Sequence, residues 1–319
     1  MQAKLVGSEL DSRYTAESPM PTRIARHHGR RCQLTPRDVA VFEAIDRHPF
    51  TTDQLYRLSA TFTEPFTQGR LLRRRLQQLR EARLLQSWPL ATVGRGGAPH
   101  YWKLARAGYQ WLQGDEAALP SRRFFEEIAP GHHHHTRCLG DFLVQTFVAA
   151  HRRGIVVRHF ARENSVTLEA GGFIVVPDCA FQLHTPDGRS FHFCVELDNG
   201  TERVRSRLDV ESIERKLRGY DAHQSQFAAL DPQRYLVLFV TTRSRDRLTH
   251  ILDLAGRVMR NPQRTVFVGV ALNEYLNSDD PCGAALLTDH RGLQRSLVSI
   301  ARANTEAPSR QVKITSGVC

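Results

Sequence analysis

Two segments, FIVVPDCAFQL at residues 173–183 and FHFCVELDNGT at residues 191–201, carry most of the information about the fold. Both are short and rich in β-branched and aromatic residues, which is typical of buried strands. The connection between them contains adjacent Pro, Asp and Gly, and these residue types favour a turn. The sequence therefore predicts a β-hairpin that brings Asp178 beside Glu196 and Asp198.

The acidic side chains at these strand ends predict a site for phosphate chemistry. Converging carboxylates repel one another, so each favours a bound cation or a proton. Mg²⁺ takes oxygen ligands and activates a bound water against a phosphate, and a nearby lysine stabilises the charge on the phosphoryl group. We therefore predict Asp178, Glu196 and Lys216 as catalytic residues and Asp178, Glu196 and Asp198 as Mg²⁺ ligands. The alternative is a chain without a cofactor, in which these carboxylates are bonded to backbone groups or arginines.

The same residues resemble the restriction-endonuclease-like superfamily, whose signature is Pro-Asp on one strand and Glu-x-Lys on the next. Pro177-Asp178 and Glu196 match this pattern, but Asp198 occupies the position expected for the lysine. Two interpretations stay open. Either Lys216 supplies the ammonium group from a later helix, or the nuclease site is inactive.

A second resemblance covers more of the pattern. Val176-Pro177-Asp178, the segment 195–201, and then Lys216, Leu217 and Tyr220 resemble the replication-relaxation family of plasmids and integrative elements. In that family a strand ends in an acidic-x-Asp-x-Gly-Thr segment and is followed by a helix with Lys-Leu and Tyr. The resemblance implies a role in the biology of mobile elements, and it specifies no reaction.

Length and charge limit the class of protein. The chain has 319 residues, a formal net charge of +11 and a pI near 9.8. This length accommodates two domains, and the excess positive charge predicts a polyanionic partner, with double-stranded DNA as the leading candidate. The six cysteines include no Cys-x-x-Cys pair, which argues against a structural zinc site or a disulfide framework. No apolar run is long enough to cross a membrane, so we expect a cytoplasmic protein without membrane partners.

Residues 34–114 are predicted to form a winged helix-turn-helix domain. Three amphipathic helices precede two strands joined by a glycine-rich loop, and this order resembles winged-helix proteins, in which the third helix enters the major groove. The arginines of that helix suit phosphate contacts and guanine recognition, although a solvated face is the alternative. The residues predicted to contact DNA are Arg70, Arg73, Arg74, Arg75, Arg80, Arg95 and, beside the acidic segment, Arg203, Arg205 and Arg207.

The rest of the chain is divided by composition. The predicted segments are a disordered basic arm at residues 1–33, a linker at 115–130, a second domain at 131–302 and a disordered tail at 303–319. Within the second domain, the order helix, three strands, helix, strand is that of the restriction-endonuclease-like core. The predicted class is therefore α+β or α/β, with a central mixed sheet.

Four consecutive histidines, His132–His135, precede an apolar helix. Adjacent residues on a helix point in different directions and cannot all face one ion. The sequence therefore favours a helix N-terminus with one histidine directed at the core or at the acidic residues. A transition-metal site is the alternative.

Three functions remain open at this point. The first is a DNA-binding accessory protein for replication, relaxation or transfer of a plasmid or integrative element, acting with plasmid replication or mobilisation proteins. The second is a Mg²⁺-dependent DNA endonuclease that uses Asp178, Glu196 and Lys216. The third is a transcriptional repressor. Because many winged-helix proteins bind two half-sites, a homodimer is also plausible.

Overall fold

The computed structural model describes residues 24–27, 30–91, 98–201, 204 and 212–299. Four of the arginines predicted to contact DNA lie outside these residues, and they are Arg95, Arg203, Arg205 and Arg207. Among the helices of the described residues, none is both long and apolar enough to span a bilayer.

The first part of the chain is a helical unit with a small sheet. Its elements are β1 (Ile24–His27), β2 (Arg30–Gln33), α1 (Pro36–Arg47), β3 (Phe50–Thr51), α2 (Thr52–Leu58), α3 (Gly69–Glu81), β4 (Leu85–Pro89), β5 (His100–Leu104) and α4 (Arg106–Gln113). Strands β3, β5 and β4 form a three-stranded antiparallel sheet. Three helices followed by a β-hairpin and a fourth helix is the element order predicted from the sequence.

Local sequence signals account for the helix boundaries. Thr35 and Asp38 form a capping box at the start of α1, and Pro36 occupies its first turn. Helix α3 begins at Gly69 and buries leucines at four- and three-residue spacing. Within the segment predicted as a disordered arm, the described residues of β1 and β2 pair as an antiparallel hairpin. Pairing satisfies their backbone polar groups.

The second part of the chain is built around a large sheet. Its elements are α5 (His133–Arg152), β6 (Val156–Ala161), β7 (Leu168–Ala170), β8 (Phe173–Val175), β9 (Cys179–His184), β10 (Ser190–Asp198), α6 (Ile213–Gln224), β11 (Leu236–Thr241), α7 (Arg245–Val258), β12 (Phe267–Ala271), α8 (Leu272–Leu276), β13 (Leu287–Asp289) and β14 (Gln294–Arg295). The seven strands are ordered β14-β13-β12-β11-β10-β9-β6. Strands β10, β11 and β12 are parallel, whereas the other pairs are antiparallel. A mixed α+β architecture is therefore confirmed.

The strand predicted over residues 173–183 is divided in two. Residues 173–175 form β8, which pairs with β7 in a separate hairpin, and the large sheet resumes with β9 at Cys179. Pro177 lies between the two strands, and a proline cannot donate a backbone hydrogen bond to a ladder. Because of this break, Asp178 lies immediately before β9, where its backbone and side chain are directed toward β10.

Two cores lie on opposite faces of the large sheet. One packs under α6 and α7 and contains Leu217, Tyr220 and Phe239. The other contains Phe142 and Val195 and extends without interruption into Phe42 of α1 and into the leucines of α2 and α3. The predicted boundary between two domains is therefore crossed by a shared core.

The segment predicted as a linker is packed against the first part of the chain. Phe125 is buried, and the buried ammonium group of Lys103 donates to the carbonyl oxygens of Arg123 and Glu126 at 3.2 and 2.6 Å. The N–H of Ile128 donates to the Tyr101 hydroxyl at 2.8 Å. Carbonyl oxygens satisfy the donors of a buried lysine, so this segment is held in place.

Candidate functional site

Acidic residues converge where β10 leaves the large sheet. Asp178 donates its N–H to the carbonyl of Val195 at 3.0 Å, and its Oδ2 accepts the N–H of Leu197 at 2.7 Å. Glu196 and Asp198 lie two residues apart on β10, so both side chains project from the same face. The structure thus brings Asp178 next to Glu196, as the hairpin predicts.

Glu196 is held by two residues of α6. Lys216 Nζ lies 2.9 Å from Oε2, and the Tyr220 hydroxyl donates to Oε1 at 2.5 Å. Burial raises the pKa of Glu196 to about 7; Lys216 opposes this shift, whereas the charge of Asp178 adds to it. Lys216 therefore meets Glu196, one helix later than the nuclease signature would place it.

Asp198 is bound by an arginine of α7. Arg247 Nε and Nη2 each lie 2.7 Å from a different carboxylate oxygen, and the Asp198 side chain is 2% exposed. The Thr241 hydroxyl and the N–H of Gly200 donate at 3.0 and 3.1 Å. Burial alone would raise the pKa of Asp198, but the hydrogen bonds and charge of Arg247, with the other donors, lower it. A bidentate pair with this burial indicates a structural carboxylate.

His135 joins the acidic residues from the first turn of α5. Its Nε2 lies 3.4 Å from Asp178 Oδ1, and its Nδ1 lies 3.3 Å from the amide nitrogen of Asn199. Burial alone would lower the pKa of His135, but the proximity and charge of Asp178, with Glu163 and Glu196, raise it above the ordinary value. His135 is therefore the histidine of the run that faces the acidic residues.

The donor set does not fit a resident Mg²⁺ ion. Both oxygens of Glu196 are taken by Lys216 and Tyr220, and both oxygens of Asp198 are taken by Arg247. Within the described ranges, no group of three or more His, Cys, Asp or Glu side chains is arranged to hold a metal ion. The cavity beside Glu196 measures about 20 Å³, room for a single water molecule. The three-carboxylate metal site predicted from the sequence is thus not assembled among these side chains.

The other histidines of the run serve different contacts. His133 is buried, its Nδ1 accepts the N–H of Ala91 at 2.8 Å, and its Nε2 lies 2.9 Å from the carbonyl of Ile128. His132 and His134 are exposed. The four rings therefore do not converge on one ion, in agreement with the helix N-terminus that the sequence favours.

A second candidate surface is the exposed face of α3. Arg70, Arg73 and Arg74 are exposed along one side of this helix. Three of its leucines, Leu72, Leu76 and Leu79, face the core, whereas Leu71 is exposed. Arg80 is also exposed and donates to the Ser87 hydroxyl of β4 at 3.1 Å. Four of the predicted DNA-contacting arginines therefore share an accessible surface.

Arg75 does not belong to that surface. Its Nε and Nη2 lie 2.7 and 2.6 Å from the two carboxylate oxygens of Asp38, which is 1% exposed, and Nη2 also donates to the carbonyl of Gln33. The helical period turns this position toward α1. The structure places Arg75, which the sequence predicts as a DNA contact, in an ion pair with Asp38.

Arg247 is a site residue that the sequence analysis does not identify, whereas one histidine of the run is predicted there without its position being specified. A signal for Arg247 does exist, because β10 and β11 are parallel and α7 follows β11 directly. The start of a helix after one parallel strand lies near the end of the neighbouring strand. An arginine in the first turn of α7 is thus placed to meet Asp198.

Comparison with known proteins gives a family for this chain. A replication-relaxation family profile matches residues 42–231, which include α3, the histidine run, Asp178, Glu196 and Lys216. Neither a curated protein nor a solved structure matches the chain. The match covers more than half of the sequence, and the chain therefore belongs to the replication-relaxation family.

Proposed function

We propose that the protein binds duplex DNA as an accessory factor in the replication, relaxation or transfer of a plasmid or integrative element. The observation that carries this proposal is the exposed arginine face of α3. The family match supports the biological setting. The order of α1, α2 and α3 followed by the β4–β5 hairpin supports a winged helix-turn-helix as the DNA-binding unit.

Charge and exposure together favour DNA over other partners. The whole chain carries a formal net charge of +11, and Arg70, Arg73, Arg74 and Arg80 present planar guanidinium groups on one accessible surface. Guanidinium groups bind phosphates and the guanine edge in bidentate geometry. A recognition helix needs this combination of an apolar buried face and a basic outer face.

The acidic residues at the end of β10 are assigned a supporting role in this proposal. Glu196 is neutralised by Lys216 and Asp198 by Arg247, so neither carboxylate presents an unpaired charge to DNA phosphates. Ion pairs between β10 and helices α6 and α7 anchor those helices to the sheet. In this proposal the second part of the chain serves assembly or further DNA contact.

Salt-dependent DNA binding tests the proposal. Removing one phosphate contact reduces the slope of log affinity against log salt by about 0.9. We expect the variant Arg73→Ala/Arg74→Ala to lose about two units of slope on a mixed-sequence duplex. The matched control Arg218→Ala/Arg245→Ala removes the same charge from α6 and α7 and should leave the slope near the wild-type value. Equal losses in both pairs would instead contradict the assignment of α3 as the main DNA-binding surface.

A second candidate function is endonuclease activity, and one observation favours it. Asp178, Glu196 and Lys216, which are far apart in sequence, come together at the end of β10. The protein partners of Glu196 and Asp198 argue against a metal at this position. Supercoiled plasmid DNA incubated with Mg²⁺, Mn²⁺ or EDTA decides between the candidates. Metal-dependent nicking that disappears in Glu196→Ala and Lys216→Ala would support the nuclease.

A further inference from the structure

The histidine run joins two regions of the protein through a single helical turn. His133 contacts the β4–β5 hairpin through Ala91, two residues beyond the end of β4. His135 contacts Asp178 and Asn199 at the end of β10. Side chains two residues apart on a helix point about 200° apart. One turn of α5 therefore lies between the hairpin and the acidic residues.

The contacts of His133 indicate which ring nitrogen carries the proton and how the ring is oriented. The N–H of Ala91 donates to Nδ1, so Nδ1 carries no proton, and Nε2 then donates to the carbonyl of Ile128 at 2.9 Å. The ring also packs edge-on against Tyr101, with centroids 5.7 Å apart. An imidazole with both nitrogens hydrogen-bonded and 4% exposure is fixed in position and orientation.

The same turn is held from α2 and from His48, the residue that follows α1. His48 Nε2 lies 2.8 Å from the carbonyl of Thr136, and Gln54 donates to the carbonyl of Arg137 at 2.9 Å. Gly140 allows this approach, because a Cβ there would lie 2.9 Å from the Gln54 side chain. The turn is thus packed against neighbouring residues on several sides.

We propose that His133 is a positioning residue that couples the β4–β5 hairpin to His135 and Asp178. The inference rests on the proposed function, in which DNA is bound by α3 and this hairpin. When DNA binding displaces the hairpin, His133 is displaced with it through the Ala91 hydrogen bond. The first turn of α5 then changes the position of His135 relative to Asp178. DNA binding at α3 and the hairpin thereby alters the contacts of His135 and Asp178 at the end of β10.

Histidine NMR on the full chain tests this coupling. Protein labelled with ¹⁵N-histidine is titrated with a mixed-sequence DNA duplex, and the His135 ring signals are assigned by their loss in His135→Gln. We expect the duplex to shift these signals in the wild-type protein. The shift should be lost in His133→Ala although the duplex still binds through α3.

Conservative variants separate coupling from simple destabilisation. In His133→Asn the side-chain oxygen replaces Nδ1 and keeps the Ala91 hydrogen bond, so the His135 shift should persist. His133→Gln extends toward Ile128 without that bond and should lose the shift. The exposed neighbour provides the control, since His134→Ala should behave as wild type.

Two results would overturn the inference while leaving the proposed function intact. They are duplex binding without any shift at His135, and an unchanged shift in both His133→Ala and His133→Gln. A wild-type protein that does not bind the duplex is a different result, because it contradicts the proposed function and the inference together. The same titration measures binding and shift, so these failures are distinguishable.

Discussion

Replacing Arg247 with alanine should strongly destabilise the protein, because it leaves a buried carboxylate without its cation. In the folded state Arg247 makes two 2.7 Å contacts to Asp198, whose side chain is 2% exposed. Removing one partner of a buried ion pair costs about 3–5 kcal/mol. For proteins of about 150–250 residues each kcal/mol lowers Tm by about 2–4 °C, and the shift is smaller for a longer chain, so we expect a decrease of up to roughly 20 °C.

The pH dependence of this effect has a defined sign. The folded protein holds the pKa of Asp198 below its ordinary value of 3.8. A lowered carboxylate pKa contributes stability that is present above pH 3.8 and is lost as the pH falls through the folded value. In Arg247→Ala the buried carboxyl is instead easier to protonate. The difference between variant and wild type should therefore narrow as the pH approaches 3.8.

Thermal unfolding followed by circular dichroism at neutral and acid pH measures both effects. Asp198→Ala and the double variant complete a thermodynamic cycle that isolates the pair. Arg245→Ala is the control, because the neighbouring arginine pairs with Glu274 while 74% exposed, and its loss should leave Tm unchanged. A neutral-pH stability of Arg247→Ala within about 1 kcal/mol of wild type would refute the structural role of Asp198 and reopen its role as a metal ligand.

Three further predictions address other contacts. Burial lowers the pKa of His48 from 6.5 to about 4, so stability should decrease as the pH falls from 6.5 toward 4, and denaturant titrations of His48→Gln should show a flatter profile. Gly219→Val should destabilise the protein, because a Cβ there would lie 2.3 Å from a methyl group of Val175; a melting curve like that of wild type would contradict this packing. Plasmid DNA should remain supercoiled with wild-type protein and Mg²⁺, and cleavage that Lys216→Ala abolishes would contradict the accessory-factor proposal.

Much of the fold follows from local pattern in the sequence. Leucines at helical spacing and the Thr35–Asp38 capping box specify α3 and α1, and runs of aromatic, aliphatic and β-branched residues specify β10 and β11. The approach of Asp178 to Glu196 follows from the turn between their strands. These features depend on residues that are close in sequence, and the spacing of hydrophobic residues indicates which side chains are buried.

The partners of buried charges do not follow from local pattern. The sequence around Asp198 is equally compatible with a metal ligand and with a partner in an ion pair. Only the packing of α7 against β10 distinguishes the two roles. Arg75 has the same composition context as Arg74, yet only one of the two meets Asp38. Periodicity shows that a position is buried, whereas its partner depends on packing between distant segments. The shared core of the two parts is missed for the same reason.

Hydrogen–deuterium exchange of the full chain, with and without a mixed-sequence duplex, tests the central claim most directly. The account predicts that the duplex slows exchange in α3 and in the β4–β5 hairpin, and that Arg73→Ala/Arg74→Ala removes this protection. Protection that leaves residues 69–81 unchanged and appears on another face of the protein would contradict the assignment of α3 as the DNA-binding helix.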